Sequence, residues 1–554
     1  MDWARRRDSL HRAGERAAAL GVLGRARLFR PQGPDRLIRM ALLVHRWGLS
    51  PAAGYALGSI AFSGAPAIID ERGSVTFNEV EAESNALAAQ LRRSGIGPGT
   101  KVGVMCRNHR LFVEAVMGIW KVGATCLLVN TAFAGPQLAE VLKREKAEAL
   151  IHDEEFEPLA GLLGTELKRF WAWHDSPVPA GLTALDVGVP GGEERTSPTP
   201  PPGRPRTIIL TSGTTGTPKG AGRTAPSSIN PAVALLSRIP LRQHERTLIA
   251  APLFHSWGFS HFTFGLLLSS TYILQRRFDA EQTLQAIAEH RPTAMIAVPV
   301  MLQRILELPD PVRRKYDLTS LRVVAVSGSA MPGDLASRFM DQYGEVLYNL
   351  YGSTEVAWAS IATPADLRAA PGTAGKAPWR TVLKILDEAG TEVPPGVTGR
   401  IFVGNDFPFE GYTEGGGKTE VGSLLGTGDL GHLDDEGRLF VAGRDDEMIV
   451  SGGENVYPRE VEDLLAAHPR VADVAVIGVD DRQFGQALKA YVVRRGNLSE
   501  KEVQDHVRSN LARFKVPRDV EFVAELPRNA TGKILKRELR TKSVPPRPAR
   551  KPKL

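Results

Sequence analysis

Residues Thr211–Gly220 read TSGTTGTPKG. This short stretch packs three glycines, five hydroxyl side chains and one lysine into ten residues. Glycine lets backbone N–H groups turn inward without a Cβ clash. Inward N–H groups make an anion-binding nest, the hydroxyls add donors, and Lys219 adds a point charge suited to phosphate oxygens. The run Ile208–Leu210 before it reads as the end of a strand, where phosphate loops sit. It is not a Walker loop, because Gly220 rather than Ser or Thr follows the lysine. Glycine and threonine alone also suit a plain surface linker, so the rest of the chain has to decide.

Around this loop the pattern alternates. Phe77–Ser94, opened by Thr76, reads as a helix, Lys101–Met105 as a short apolar strand, Phe112–Val122 as a helix and Thr125–Val129 as a strand. Leu248–Ala251, Ala294–Val298 and Val323–Val326 continue the series. Strands separated by helices imply α/β architecture with parallel-rich sheets. After Gly443 the chain changes to a unit of about 100 residues with strands at Val474–Val479 and Ala490–Arg494 and helices at Arg459–His468 and Glu500–Leu511. The expected divisions are 1–65, basic amphipathic helices; 66–443, a large domain; 444–446, a hinge; 447–541, a small α+β domain; and 542–554, a disordered basic tail.

The chain has 554 residues, 42% hydrophobic and 24% charged, which excludes global disorder. Its two cysteines, Cys106 and Cys126, lie in apolar runs and read as buried free thiols, too few for a disulfide framework or a zinc site. The net charge of +7 is uneven. Residues 1–50 hold eleven arginines against four acids, and the tail holds five Lys or Arg and no acid, so the body is net acidic. A nucleic-acid-binding body needs its own basic stripe, and none is apparent. No apolar run approaches the roughly 20 residues that span a bilayer, and the N-terminus lacks a secretory pattern. The expectation is cytoplasmic. Residues 9–27 and 35–49 read as amphipathic helices. Peripheral membrane contact through 9–49 competes there with simple packing on the body, and packing is favoured.

Further motifs follow in order: Pro252–Phe259 (PLFHSWGF), Asn349–Glu355 (NLYGSTE), Thr427–Leu430 (TGDL), Gly443–Glu462 (GRDDEMIVSGGENVYPREVE) and Pro527–Leu539 (PRNATGKILKREL). Together with TSGTTGTPKG they resemble the adenylate-forming superfamily of acyl-CoA synthetases, peptide-synthetase adenylation domains and luciferases, with the nearest likeness to bacterial fatty-acid–CoA ligases. The resemblance implies a large N-terminal domain with a β-barrel-like subdomain and a small mobile C-terminal domain. It implies an acid–thiol ligase that uses ATP, Mg2+ and CoA to turn a carboxylic acid, first of all a medium- or long-chain fatty acid, into acyl-AMP and then a thioester. Two alternatives stay open: an acid–AMP ligase that loads a carrier protein, and an enzyme acting on an aryl acid or another small oxyanion. The oligomeric state is also open, a dimer included.

The same resemblance distributes roles. Thr211, Ser212, Gly213, Thr214, Thr215, Gly216 and Lys219 would hold phosphates. Gly328, Ser329 and Ala330 would lie under the purine, Tyr351 would stack on it, Asn349 would meet its polar edge, and Gly352 and Ser353 would complete that turn. Glu355 would bind magnesium, with Thr215 and Thr354 on a metal-bound water or the α-phosphate. Asp429 would accept ribose hydroxyls and Arg444 would steady ribose and phosphate. Asp446 would be the hinge, Gly453 would let a pantetheine arm pass, and His255 would gate the acid pocket. Lys533 would bridge the acid and the α-phosphate.

Overall fold

The computed structural model describes residues 2–28, 31–164, 166–179, 182–185, 197–211, 218–451, 454–481, 485–529 and 532–543. Within them the chain is α/β, built on four sheets. The first has eight strands in the order Ser360–Ala362, Leu347–Tyr351, Val323–Val326, Ala294–Ala297, Arg246–Ile249, Thr271–Leu274, Pro66–Asp70, Gly73–Thr76. Its interior pairs are parallel and both edge pairs antiparallel. Strands such as VVAV and AMIA are buried at every position, the mark of a sheet covered on both faces.

The second sheet runs Thr183–Ala184, Lys168–Trp171, Ala149–His152, Lys101–Met105, Thr125–Leu128, Arg206–Thr211, Lys219–Thr224. Its side chains split by the two-residue period of a strand. Val102, Val104, Cys126, Leu128, Ile151 and Ile209 join the large core shared with the first sheet. Met105, Leu127, Leu150, Ile208 and Leu210 face a separate cluster on the other side. Both cysteines are buried and free. Between the helices Phe77–Arg93 and Arg110–Val122, the fully buried Lys121 ammonium is satisfied by Glu81, Ser84 and Asn85 at 2.7–2.8 Å. The first helix begins as its sequence announces, with a Thr76–Glu79 capping box.

A third, antiparallel sheet comprises Val382–Leu386, Gly399–Gly404, Leu424–Leu433, Glu420–Val421 and Leu439–Arg444. The chain then passes through the short 3-10 turn Asp445–Glu447 into the fourth sheet: Glu454–Val456, Ile449–Ser451, Gly485–Arg494, Val471–Asp481 and Asp519–Phe522. This last unit has its own core around Val461, Leu465, Val476 and Val492.

The N-terminal residues form three helices, α1 (Asp2–Arg25), α2 (Pro34–Trp47) and α3 (Gly54–Phe62). In α2, Trp47 is buried and Leu43 packs on the main core. The opposite face of the same helix, with Leu37, Ile38 and Leu42, stands in solvent. The expectation of simple packing therefore holds for one face only.

Candidate functional site

The sequence motifs converge because strand ends converge. Leu347–Tyr351 carries Asn349 and Tyr351 to its C-terminal end, and the turn after it holds Gly352–Glu355. That turn is tight: a Cβ on Gly352 would lie 2.2 Å from the Ala357 carbonyl oxygen, so only glycine fits. Gly328, Ser329 and Ala330 follow the neighbouring strand Val323–Val326 and line the same cavity. TGDL, whose composition also fits an ordinary turn, lies inside the strand Leu424–Leu433. Hairpin pairing there sets Asp429 opposite Arg444, with Arg444 Nε 3.6 Å from Asp429 Oδ1. Asp429 Oδ2 also accepts a 2.5 Å bond from the Tyr351 hydroxyl. Burial pushes the Asp429 carboxyl up, while Tyr351, Arg444, Lys533 and Lys418 pull the other way and only partly offset it.

A cavity of about 830 Å3 gathers these groups. Its wall includes Thr211, Lys219, His255, Gly328–Ala330, Asn349–Glu355, Asp429, Arg444 and Lys533. Another part of the wall is apolar and includes Trp120, Leu235, Trp257, Phe259, Phe264 and Leu266. Among the described residues, buried polar atoms on the wall without a hydrogen-bond partner include Asn349 Oδ1 and His255 Nε2. Such orphans are costly unless a ligand satisfies them.

Glu355 is buried. Burial would raise its pKa, but bonds from Tyr412 and Ser353 and the Lys418 charge outweigh it and hold the carboxyl below its ordinary value. The Tyr412 hydroxyl donates to Oε1 at 2.7 Å, and Lys219 Nζ lies 5.2 Å from the Tyr412 ring centroid. A buried carboxylate held in its ionised form on the cavity wall, with one oxygen taken by Tyr412, offers the kind of oxygen ligand a hard cation such as Mg2+ takes. His255 occupies the N-cap position of the helix Ser256–Leu267 without a side-chain capping bond. Burial lowers its pKa to about 4, so the ring is neutral near pH 7.

Lys533 comes from the C-terminal unit. Its loop is closed by Asn529, which donates its N–H to the Lys533 carbonyl at 2.9 Å and receives the Lys533 N–H on its side-chain oxygen at 2.8 Å. Gly532 has φ +77°, and a Cβ there would sit 2.4 Å from Val300 Cγ1. The loop is thus seated against Val300, itself a cavity wall. Arg528 pairs with Asp473 at 2.6 Å, and Gln303 of the large unit donates to the Ala472 carbonyl of the small one at 3.2 Å.

Not every expected residue enters this account. Ser212, Gly213, Thr214, Thr215, Gly216 and Gly453 lie outside the described residues, as does most of the tail. The flanks of the phosphate loop are clear: Thr211 and Lys219 are cross-strand partners, so Lys219 begins a strand rather than ending a loop. Asp446 falls within the turn Asp445–Glu447.

Three residues escaped the sequence reading. Arg223 is buried and donates to the Thr354 carbonyl (2.6 and 3.1 Å), the Glu355 carbonyl (2.9 Å) and the Phe407 carbonyl (3.0 Å). Tyr412 and Lys418 come from EGYTEGGGK, residues 410–418, which combines glycine, hydroxyl and lysine much as TSGTTGTPKG does. That composition was the available signal. Elsewhere, Cys106, His109 and Asp153 cluster closely. The Asp153 carboxylate is already taken by His109 Nε2 and the Arg107 and Trp173 N–H groups, which makes the cluster a packing knot.

Comparison with known proteins agrees with this geometry. The AMP-binding enzyme model matches residues 61–413, and the AMP-binding enzyme C-terminal domain model matches 460–533. A feruloyl-CoA synthase from Amycolatopsis is 34% identical over 84% of this chain and 94% of its own. A 2-succinylbenzoate–CoA ligase from Bacillus licheniformis is 33% identical over 85% and 96%. Among solved structures, an anthranilate CoA ligase in complex with anthranoyl-AMP superposes with a TM-score of 0.80 at 28% identity, covering 89% of this chain and 97% of that one. With both units matched and the site assembled between them, the protein belongs to the AMP-binding enzyme family and is an AMP-forming acid–thiol ligase.

Proposed function

We propose that the protein couples an aromatic carboxylic acid to CoA through an acyl-AMP intermediate. The observation that carries this reading is the single cavity whose wall combines Glu355, Asp429, Arg444 and Lys533 with a large aromatic and aliphatic surface. The named activities of the relatives, on feruloyl, succinylbenzoate and anthranilate acids, support the aromatic choice.

In the first half-reaction a carboxylate oxygen attacks the α-phosphorus of ATP. The new bond forms as the bond from that phosphorus to the bridging oxygen breaks, and pyrophosphate leaves. Lys533 supplies positive charge where acid and α-phosphate meet. Removal of such a preorganised donor costs about 3–4 kcal/mol in the cases known. Asp429, held by Tyr351 and Arg444, would accept ribose hydroxyls, and the orphaned Asn349 Oδ1 would accept from the adenine amino group. Glu355 would hold Mg2+, which when bound neutralises phosphate charge. Neutral His255 would orient the acid through Nε2 and does not act as a base, since the acid is already ionised near pH 7. In the second half-reaction the CoA thiolate attacks the acyl carbon and AMP leaves, the thiol proton passing to solvent.

A longer, purely aliphatic acid is the second reading. It is favoured by the extension of the same cavity to Leu49, Pro51 and Leu57. A pyrophosphate-release screen over aryl acids and fatty acids of graded length, with and without CoA, tests both. The expected result is release with aryl acids and thioester only when CoA is present. A preference for long aliphatic acids would select the second reading, and no release with any acid would overturn both.

A further inference from the structure

The outward face of α2 carries apolar side chains that stand exposed among the described residues. At 100° per residue, Leu37, Ala41 and Val44 form one row and Ile38, Leu42 and His45 the next. The second row points away from Trp47 and Leu43, which anchor the helix inward, and the first lies on the flank between them. The exposures are large: 53% for Leu37, 61% for Ile38 and 62% for Leu42. Arg39 and Arg46, seven positions apart and both exposed, fall on one flank of this face. Arg46 donates to the Pro198 carbonyl at 3.2 Å and Arg36 to the Ala61 carbonyl at 3.3 Å, so the helix is tied to the body with its second apolar row outermost.

Immediately after α2 comes the cavity. Gly48, Leu49, Ser50 and Pro51 line it, and Leu49 is also 58% exposed. The apolar rows and the cavity wall are therefore continuous along the chain. The face is also small. A helix of 14 residues is about 21 Å long and about 10 Å wide, far short of the roughly 800 Å2 per partner of a stable protein interface. Apolar rows edged by arginine on a short helix instead match an interfacial anchor that lies in the headgroup layer. No helix among the described residues is long and apolar enough to cross a membrane.

We propose that α2 seats the enzyme on a bilayer containing anionic lipid, and that the acid enters the cavity past Leu49 from that surface. The docking half stands without any assignment of the reaction, whereas the entry half rests on the acid-activation reading above.

The test uses the full chain and vesicles of phosphatidylcholine with or without phosphatidylglycerol, read by flotation at low and high salt. The wild type should float with the anionic vesicles, and less so with neutral vesicles or at high salt. Leu37→Ser/Ile38→Ser/Leu42→Ser should weaken binding at least about tenfold, and Arg39→Glu should abolish the preference for anionic lipid. All four positions are exposed, so thermal melting should be unchanged. With an active acid dissolved in buffer, wild type and triple variant should release pyrophosphate equally. With that acid preloaded in anionic vesicles, the wild type should be faster. Equal rates there would overturn the entry half. A wild type that fails to float, or a triple variant that floats as well, would overturn docking. So would a wild-type dimer that the triple variant dissociates without any vesicle binding, since a second copy would then own the face. Absence of pyrophosphate release from every acid would remove the reaction reading while leaving the flotation result to stand alone.

Discussion

Arg223→Met should uncouple the Gly352–Glu355 turn from the body of the enzyme. The guanidinium makes four bonds to three carbonyls, those of Thr354, Glu355 and Phe407. It also lies 4.3 Å from the Phe407 ring centroid. Burial lowers its pKa to about 10, so it is cationic near pH 7. Methionine keeps the stem volume and leaves all three acceptors empty. An unpaired buried acceptor costs about 1–3 kcal/mol, and the gain from no longer burying a charge returns part of the total. The expected net loss of stability is about 3 kcal/mol, visible as a lower urea midpoint with an unchanged slope. The catalytic effect should be separable. Two of the three carbonyls belong to Thr354 and Glu355, so a shift of about 1 Å in that turn should lower pyrophosphate release by about 10²-fold. Arg223→Lys keeps the charge but cannot span three carbonyls, and should fall between the two. A folded Arg223→Met with an unshifted midpoint and unaltered pyrophosphate release would refute the claim that Arg223 positions this turn.

Three further outcomes follow from the same geometry. Lys533→Ala should reduce acyl-AMP formation by about 10²–10³-fold while leaving thioester formation from supplied acyl-AMP much less affected; equal losses in both assays would count against its assignment. Tyr412→Phe removes a donor from the Glu355 carboxylate, whose pKa is held below its usual value. The acid limb of the pH–rate profile should therefore move to higher pH and the Mg2+ requirement should rise, as measured by pyrophosphate release across pH and metal titrations. His261 is buried and its pKa is lowered by burial to about 4, against about 6.5 for an unfolded histidine. The unfolded state binds the extra proton between those values, so stability should fall as pH drops from about 6.5 to about 4, by up to about 3 kcal/mol. His255 acts in the same window, so His261→Gln should lessen the slope of urea-midpoint curves there, and an unchanged slope would exclude His261 as a source.

What was legible in the sequence had a local cause. Strands such as Val323–Val326 and Lys101–Met105 are continuous apolar runs between helices, and the helix at Phe77 starts on a capping box within four residues. The pairing of Asp429 with Arg444 was less accessible, because it depends on hairpin register across fifteen positions. TGDL fits a turn by composition and becomes strand only through its neighbours. Arg223 was invisible for a related reason: its partners are backbone carbonyls 131 to 184 residues away, and carbonyls leave no trace in residue type. The exposed apolar rows of α2 were half legible. Periodicity marks an amphipathic helix, but it does not say which of two apolar arcs turns inward.

The seat of Gly532 on Val300 joins two tasks in one side chain. Val300 borders the cavity that the proposed reaction would use for the acid, and Gly532, next to Lys533, is seated against it. A larger residue there, of the kind that would narrow the pocket for a smaller acid, would push on the lysine loop at the same time. A smaller one would enlarge the pocket and loosen the loop together. On the proposed reaction, selectivity and turnover should therefore trade against each other at this position. Variants that retune the acid should arise more readily at Leu235, Phe259 or Phe264, which border the cavity and carry no part of the Gly532 contact.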